Sequence, residues 1–152
     1  MYDIVKNVLT QKERGLFIEK LKPFIPGDVP NCPIFQTSHN LCDDMGFQTF
    51  ATKIGLGVLF KLPENNIRMS WMEGRWSNSK ETQMNWMFDD NLLYTSVYFL
   101  KVPFFKKNGV LFKEGFVKAP QNSVVVFRGS SQYIIPQSNR EEYVIVSHFV
   151  SN

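Results

Sequence analysis

Apolar and polar positions first fall into a clear rhythm after residue 10. Phe17, Ile18, Leu21, Phe24 and Ile25 recur at the spacing of one helix face, with Glu19, Lys20 and Lys22 on the other side. Thr10-Gln11-Lys12-Glu13 has the form of a capping box, in which the Thr10 hydroxyl and the Glu13 carboxylate satisfy backbone N–H groups at a helix start. Pro23 and Pro26 bring the pattern to an end. The spacing therefore predicts a helix starting near Thr10, within a helical N-terminal segment spanning residues 1–26, with its apolar side packed on a sheet. Gly27 to Pro33 is rich in Gly, Pro and Asn and reads as a loop.

The middle of the chain is mixed. Thr49 to Phe60 fits either strands or a helix, and Asn65-Asn66 marks a turn. In the last seventy or so residues, short β-rich runs alternate with turn signals, as in a sandwich or barrel. Tyr94 to Val102 reads as one strand. Asn108-Gly109 reads as a tight hairpin turn, with Val110-Leu111-Phe112 as the returning strand. Pro120-Gln121-Asn122 leads into a strand over Ser123 to Phe127, and Tyr143 to Val150 forms the last. The class is mostly β (α+β), a sandwich or barrel behind a short helical N-terminal segment.

Composition sharpens this in three ways. The 152 residues suit one domain with a continuous core. Fourteen Phe, five Tyr and three Trp favour strands, where flat rings pack well. The net charge of +3 arises from 17 basic and 14 acidic residues spread along the chain, which argues against a nucleic-acid surface. Cys32 and Cys42 are the only cysteines, better read as reduced thiols than as a disulfide. Neither a signal peptide nor a membrane span is legible, so the expected location is the cytoplasm.

The order of elements is itself informative: Met69-Ser70-Trp71, then Thr95 to Leu100 with Pro103, then Gly109 to Phe112, then Ser123 to Phe127, then Gln132 through Pro136, then Tyr143 to Phe149. This resembles the double-stranded β-helix core of the 2-oxoglutarate and Fe(II)-dependent oxygenases, particularly small bacterial and phage-type members. The likeness covers about residues 67–151. It implies a facial triad of two histidines and a carboxylate around Fe(II). The His-x-Asp motif of the family falls on Met87 and Asp89. The distal histidine falls on Gln132, or on Tyr133 if the register slips by one, and the basic clamp for 2-oxoglutarate falls on Tyr143, with Arg140 three residues earlier. Neither histidine of the chain, His39 or His148, stands at a family ligand position.

Other residues invite chemistry but have plainer readings. Asp89-Asp90 beside Asn91 could bind a hard cation, but suits a solvated turn. Asp43-Asp44 with His39 and Cys42 matches no zinc spacing. Trp71, Trp76 and Trp86, interspersed with Arg68, Arg75 and Lys80, could form a stacking platform or simply pack. His148 reads as a wall residue in an apolar strand.

The resemblance with its altered triad implies a non-catalytic or functionally divergent protein, with no cofactor expected. Its barrel mouth, lined by Met87, Asp89, Tyr98, Gln132 and Tyr143, would bind a small ligand or a protein partner. Two alternatives stand beside it. One is an active oxygenase using Fe(II) and 2-oxoglutarate through Asp89, His148 or His39 and a displaced Arg140. The other is a jelly-roll structural or assembly protein, such as a viral component.

Overall fold

The computed structural model describes residues 2–24, 34–77, 86–103, 107–136 and 141–152. The N-terminal segment is not helical throughout, because a strand, β1 (Tyr2–Lys6), precedes the helix α1 (Gln11–Leu21). Nothing in the polarity of β1 announces it; its conformation comes from pairing with a later strand. The capping box forms as expected. Thr10 Oγ1 accepts from Glu13 N at 3.1 Å, and Thr10 N donates to Glu13 Oε1 at 2.9 Å. Glu13 also meets Lys53 at 2.5 Å, which ties α1 to the next helix. After Leu21 a single 3-10 turn, Lys22–Phe24, ends the helical run, while Ile25 and Pro26 lie outside the described residues.

A short strand, β2 (Ile34–Gln36), and two 3-10 turns lead to α2 (Gln48–Leu59), so the ambiguous middle segment is a helix. Its buried side chains, Phe50, Ile54 and Val58, recur every four residues. The turn expected at Asn65-Asn66 is present, with Asn66 at φ 61°. The remaining strands are β3 (Ile67–Ser77), β4 (Tyr94–Lys101), β5 (Gly109–Phe112), β6 (Gly115–Lys118), β7 (Ser123–Arg128), β8 (Tyr133–Ile134) and β9 (Glu142–Ser151).

They form two antiparallel sheets. The larger has the order β1-β7-β4-β9-β3-β2 and the smaller β6-β5-β8, which Met87 extends through a bridge to Tyr133. The crossing order is that of a double-stranded β-helix. The larger sheet is buried on both faces, which is why β4, β7 and β9 read as nearly unbroken apolar runs. Tyr94, Tyr98, Tyr143, Ile145 and Phe149 face the helices, against Phe17, Leu21, Phe50 and Ile54. Val97, Phe99, Val125, Phe127, Val144 and Val146 face the smaller sheet, against Val110, Phe112 and Tyr133.

The Asn108-Gly109 hairpin is not formed. β4 pairs with β7 and β9, whereas β5 pairs with β6 and β8 in the other sheet. The reversal lies at Lys113-Glu114, between β5 and β6. Gly109 is needed for a different reason: a Cβ there would lie 1.9 Å from the Val117 carbonyl oxygen.

Two bulges are satisfied by side chains from the helical layer. Register slips in β4 between Phe99 and Lys101, and Arg14 Nε and Nη2 donate to the Leu100 carbonyl at 3.1 and 2.8 Å. A second slip lies in β3 between Met69 and Trp71, where Asn40 Nδ2 donates to the Ser70 carbonyl and Asn40 Oδ1 accepts from Met72 N, each at 2.9 Å. Asn122 plays a similar part at the other end. At φ 64°, it accepts from Leu9 N at 3.1 Å and Tyr98 Oη at 2.6 Å, and donates to Leu9 O at 2.8 Å. Asn122→Gly keeps the left-handed backbone but removes these bonds, and is expected to lower stability by about 2 kcal/mol. Urea unfolding checks this as a lower midpoint at unchanged m value.

Candidate functional site

A cleft of about 310 Å³ opens beside β4, β8 and β9. Trp86, Met87, Phe88, Asp89, Leu92, Thr95, Tyr133 and His148 line it. The backbone holds this rim from both sides. Met87 N donates to Tyr133 O at 2.9 Å and Tyr133 N returns to Met87 O at 3.0 Å. Asp89 N donates to Gly129 O at 3.0 Å, and Gly129 N to Leu93 O at 3.0 Å. Gly129 must be glycine, since a Cβ would sit 2.4 Å from the Leu92 carbonyl oxygen. Asp89 Oδ1 accepts from Asn91 N at 2.9 Å, so Asp89-Asp90-Asn91 is the solvated turn that its composition suggests.

Alternation decides what reaches the cleft from the larger sheet. On β9, Val144 and Val146 face the smaller sheet, and His148, two residues further on, enters the cleft. The imidazole Nδ1 lies 3.4 Å from Thr95 Oγ1 on β4. On β3 the partners of His148, Val146 and Val144 are Trp71, Glu73 and Arg75, which therefore share this face. Arg75 Nε lies 3.3 Å from Glu73 Oε2, and Arg75 Nη1 donates to Met87 Sδ at 3.7 Å. An ion pair thus lies behind Met87 and Tyr133, with side chains only 15% and 9% exposed. Burial raises the pKa of the Tyr133 phenol, and the nearby Arg75 opposes this.

Burial also lowers the pKa of His148 from its ordinary 6.5, with Glu73 and Asp89 pulling it up and Arg75 pushing it down. The unfolded chain therefore takes up this proton first. Stability from His148 is fully present above about pH 6.5 and declines as pH falls toward the lower folded value. His148→Gln is expected to remove that part of the acid sensitivity, read as a flatter profile of urea midpoints between about pH 8 and pH 5.

Of the five residues expected at the mouth, Met87 and Asp89 line the cleft. Gln132 is exposed, and its neighbour Tyr133 lines the cleft instead. Tyr98 and Tyr143 are turned to the opposite face of the larger sheet. Tyr98 is fully buried there and donates to Asn122, while Tyr143 donates to Glu141 Oε1 at 2.6 Å. Burial raises both phenols, and the carboxylate beside Tyr143 adds to its shift. The position that opens β9 on the barrel side is Glu142, two residues before Val144 and only 3% exposed. Arg140 lies outside the described residues. Neither Thr95 nor Glu73 stands out in the sequence as a site residue, Tyr133 enters there only as the slipped register of Gln132, and Arg75 only beside the tryptophans. The signal that could have found Glu73 and Arg75 is their spacing of two, which puts opposite charges on one face of a strand.

The other candidates separate. His39 Nε2 pairs with Asp44 Oδ2 at 3.0 Å, and Asp44 Oδ1 caps Gly46 N at 2.8 Å, so these residues hold a 3-10 turn. The Cys42 thiol is pushed up to about 11 by burial and by Asp43, the reverse of activation, and Cys32 lies outside the described residues. Trp71 and Trp76 face opposite sides of β3, and Trp86 stands at the cleft rim, so they form no single platform. Arg68 is exposed on β3, and Lys80 is outside the described residues. No helix among the described residues is long and apolar enough to cross a membrane.

No protein-family model and no curated protein matches the chain. Solved structures do. HygX from Streptomyces hygroscopicus, with nickel and 2-oxoglutarate bound, superposes with a TM-score of 0.75 at 8% identity, over 99% of this chain and 83% of that one. The viral collagen prolyl hydroxylase of Paramecium Bursaria Chlorella virus-1 gives 0.66 at 13% identity, over 99% and 90%. A prolyl hydroxylase from Trichoplax adhaerens, in complex with a hypoxia inducible factor peptide, gives 0.71 at 9% identity, over 99% and 83%. The structural neighbours are 2-oxoglutarate and Fe(II)-dependent oxygenases, and the chain has their double-stranded β-helix fold.

A facial triad in this fold needs two imidazoles beside a carboxylate. The cleft supplies one carboxylate, Asp89, with the Met87 thioether, the Tyr133 phenol and one imidazole, His148. Among the described residues no three His, Cys, Asp or Glu side chains group closely enough to hold a metal ion. The donors described do not fit such an iron centre.

Proposed function

We propose that this chain is a divergent oxygenase-like β-helix protein whose barrel mouth binds a small ligand and does not carry out iron-dependent oxidation. The observation that carries the reading is the donor set around Asp89. On the register that the resemblance implies, the Met87 thioether takes the place of the family's first imidazole, and thioethers are poor ligands for Fe(II). The electrostatics agree, since the guanidinium behind the cleft is engaged by Glu73 and no Lys or Arg is among the described residues lining the cleft. A dianionic keto acid meets no described cation committed to it. The cleft's size, about 310 Å³, lies at the lower end of small-molecule sites.

Fe(II) titration of the purified protein, with 2-oxoglutarate turnover followed in the same samples, tests the reading. The expected result is no stoichiometric iron and no succinate above a protein-free control. Stoichiometric iron with turnover would sink it.

One observation favours a second reading. Asp89 and His148 line the same cleft, so an oxygenase with unusual ligands would have two candidate donors there, whereas His39 is committed to Asp44 elsewhere. Under that reading His148→Gln abolishes iron binding; under the first it changes nothing in the iron titration.

A further inference from the structure

We infer that the cleft takes a small organic cation, an alkylammonium or quaternary ammonium group, with Asp89 as counter-charge and the rings of Trp86, Phe88 and Tyr133 as walls. This rests on the mouth being a ligand cleft, and it names the ligand's chemical class. Asp89 is the one acidic side chain lining the cleft among the described residues, and burial disfavours the charged form of His148 beside it. The carboxylate is exposed at the rim, and its Oδ1 is shared with the Asn91 N–H, a single neutral donor that leaves the negative charge in place. Trp86 and Phe88 flank it with 36% and 54% of their surfaces exposed. Large rings left open around an acid are what a cation with apolar substituents needs, since the ring faces attract the charge and the alkyl groups bury apolar area.

The chain shows the ring's capacity itself, and also a competitor for it: Lys113 Nζ sits 3.9 Å from the centroid of Trp86, so a ligand cation must displace it or use the rest of the ring. Met87 Sδ, which accepts from Arg75 on one side, presents a soft apolar surface to the cleft on the other. Arg75 does not oppose the ligand's charge outright, because Glu73 lies 3.3 Å from its Nε. The ligand class is opposite in charge to 2-oxoglutarate.

Titration of the full chain with tetramethylammonium and with butylammonium, followed by NMR chemical shifts, tests the inference. Isobutanol serves as the neutral probe and 2-oxoglutarate as the anion. Both ammonium ions are expected to bind in the millimolar range, more tightly at low salt, and Asp89→Asn to weaken them about tenfold. Trp86→Leu is expected to weaken them several-fold, and Asp90→Asn, next in the chain and outside the cleft lining, to leave them unchanged. Thermal melts of each variant confirm folding. No binding of either ammonium ion at millimolar concentration overturns the inference. So does equal binding of isobutanol, or ammonium binding indifferent to Asp89→Asn; these leave the ligand-cleft reading standing. Stoichiometric Fe(II) with turnover removes that reading and the inference with it.

Discussion

Arg75→Met is expected to destabilise the protein by about 3 kcal/mol, because it strands the Glu73 carboxylate inside the barrel. The Glu73 side chain is 9% exposed and that of Arg75 15%, so neither end of the pair is fully hydrated in the folded state. Methionine replaces the stem of Arg75 at similar length, so the loss measures the abandoned charge more than missing volume. The partner variant gives the decisive comparison. Glu73→Gln with Arg75→Met removes both charges and should recover most of the loss, since buried pairs are costly to break singly and cheap to replace together. Urea midpoints for the two single variants and the double variant form the required cycle. Equal losses in all three would mean that the pair contributes packing and no charge balance. The site has a stake in the result, because Arg75 also donates to Met87 Sδ and lies close to Tyr133. A cleft wall that moves with Arg75 would show as altered ligand shifts at Tyr133 in the double variant.

The same pair shows where the sequence was legible and where it was not. The fold could be read because β4, β7 and β9 are buried on both faces, so their apolar runs stand out against any background. The α1 boundary was written in Thr10 and Glu13, whose capping partners are three residues apart. Burial on both faces erased the information that a site needs. Tyr98 and Tyr143 occupy strand positions that looked right for the mouth, yet each lies one step out of phase with it, and one residue along a strand is a change of face. β9 shows the phase only through its partners: Val144, Val146 and His148 inward, Tyr143, Ile145 and Phe149 toward the helices. Both bulges lie in strands that bracket the cleft, and a bulge shifts phase without leaving a sequence mark. β1 was invisible for another reason, as an edge strand whose conformation depends on β7 and not on its own polarity. Gly109 signalled a turn, but it serves a close backbone approach to Val117, a requirement set by a contact that local sequence does not encode.

Phe17→Ala should cost more than any change in the cleft, about 4 kcal/mol. Phe17 is completely buried at the junction of α1 and α2, stacked on Phe50 with centroids 4.4 Å apart and tilted against Phe47 at 5.7 Å. Removing the ring forfeits its burial and both aromatic contacts, and leaves a void between elements whose backbones are held by Arg14, Asn40 and Asn122 and cannot close over it. The melting temperature should fall by roughly 8–16 °C for a chain of this size. Phe17→Leu, which refills part of the space, should recover about half of the loss. This layer lies behind the larger sheet, on the face opposite the cleft. Ligand shifts at Tyr133 and His148 should therefore be unchanged in Phe17→Ala below its melting range, because side chains on opposite faces of one sheet with no shared partner contribute independently. Altered shifts there would show that the helical layer sets the curvature of β4 and β9, and so the width of the mouth.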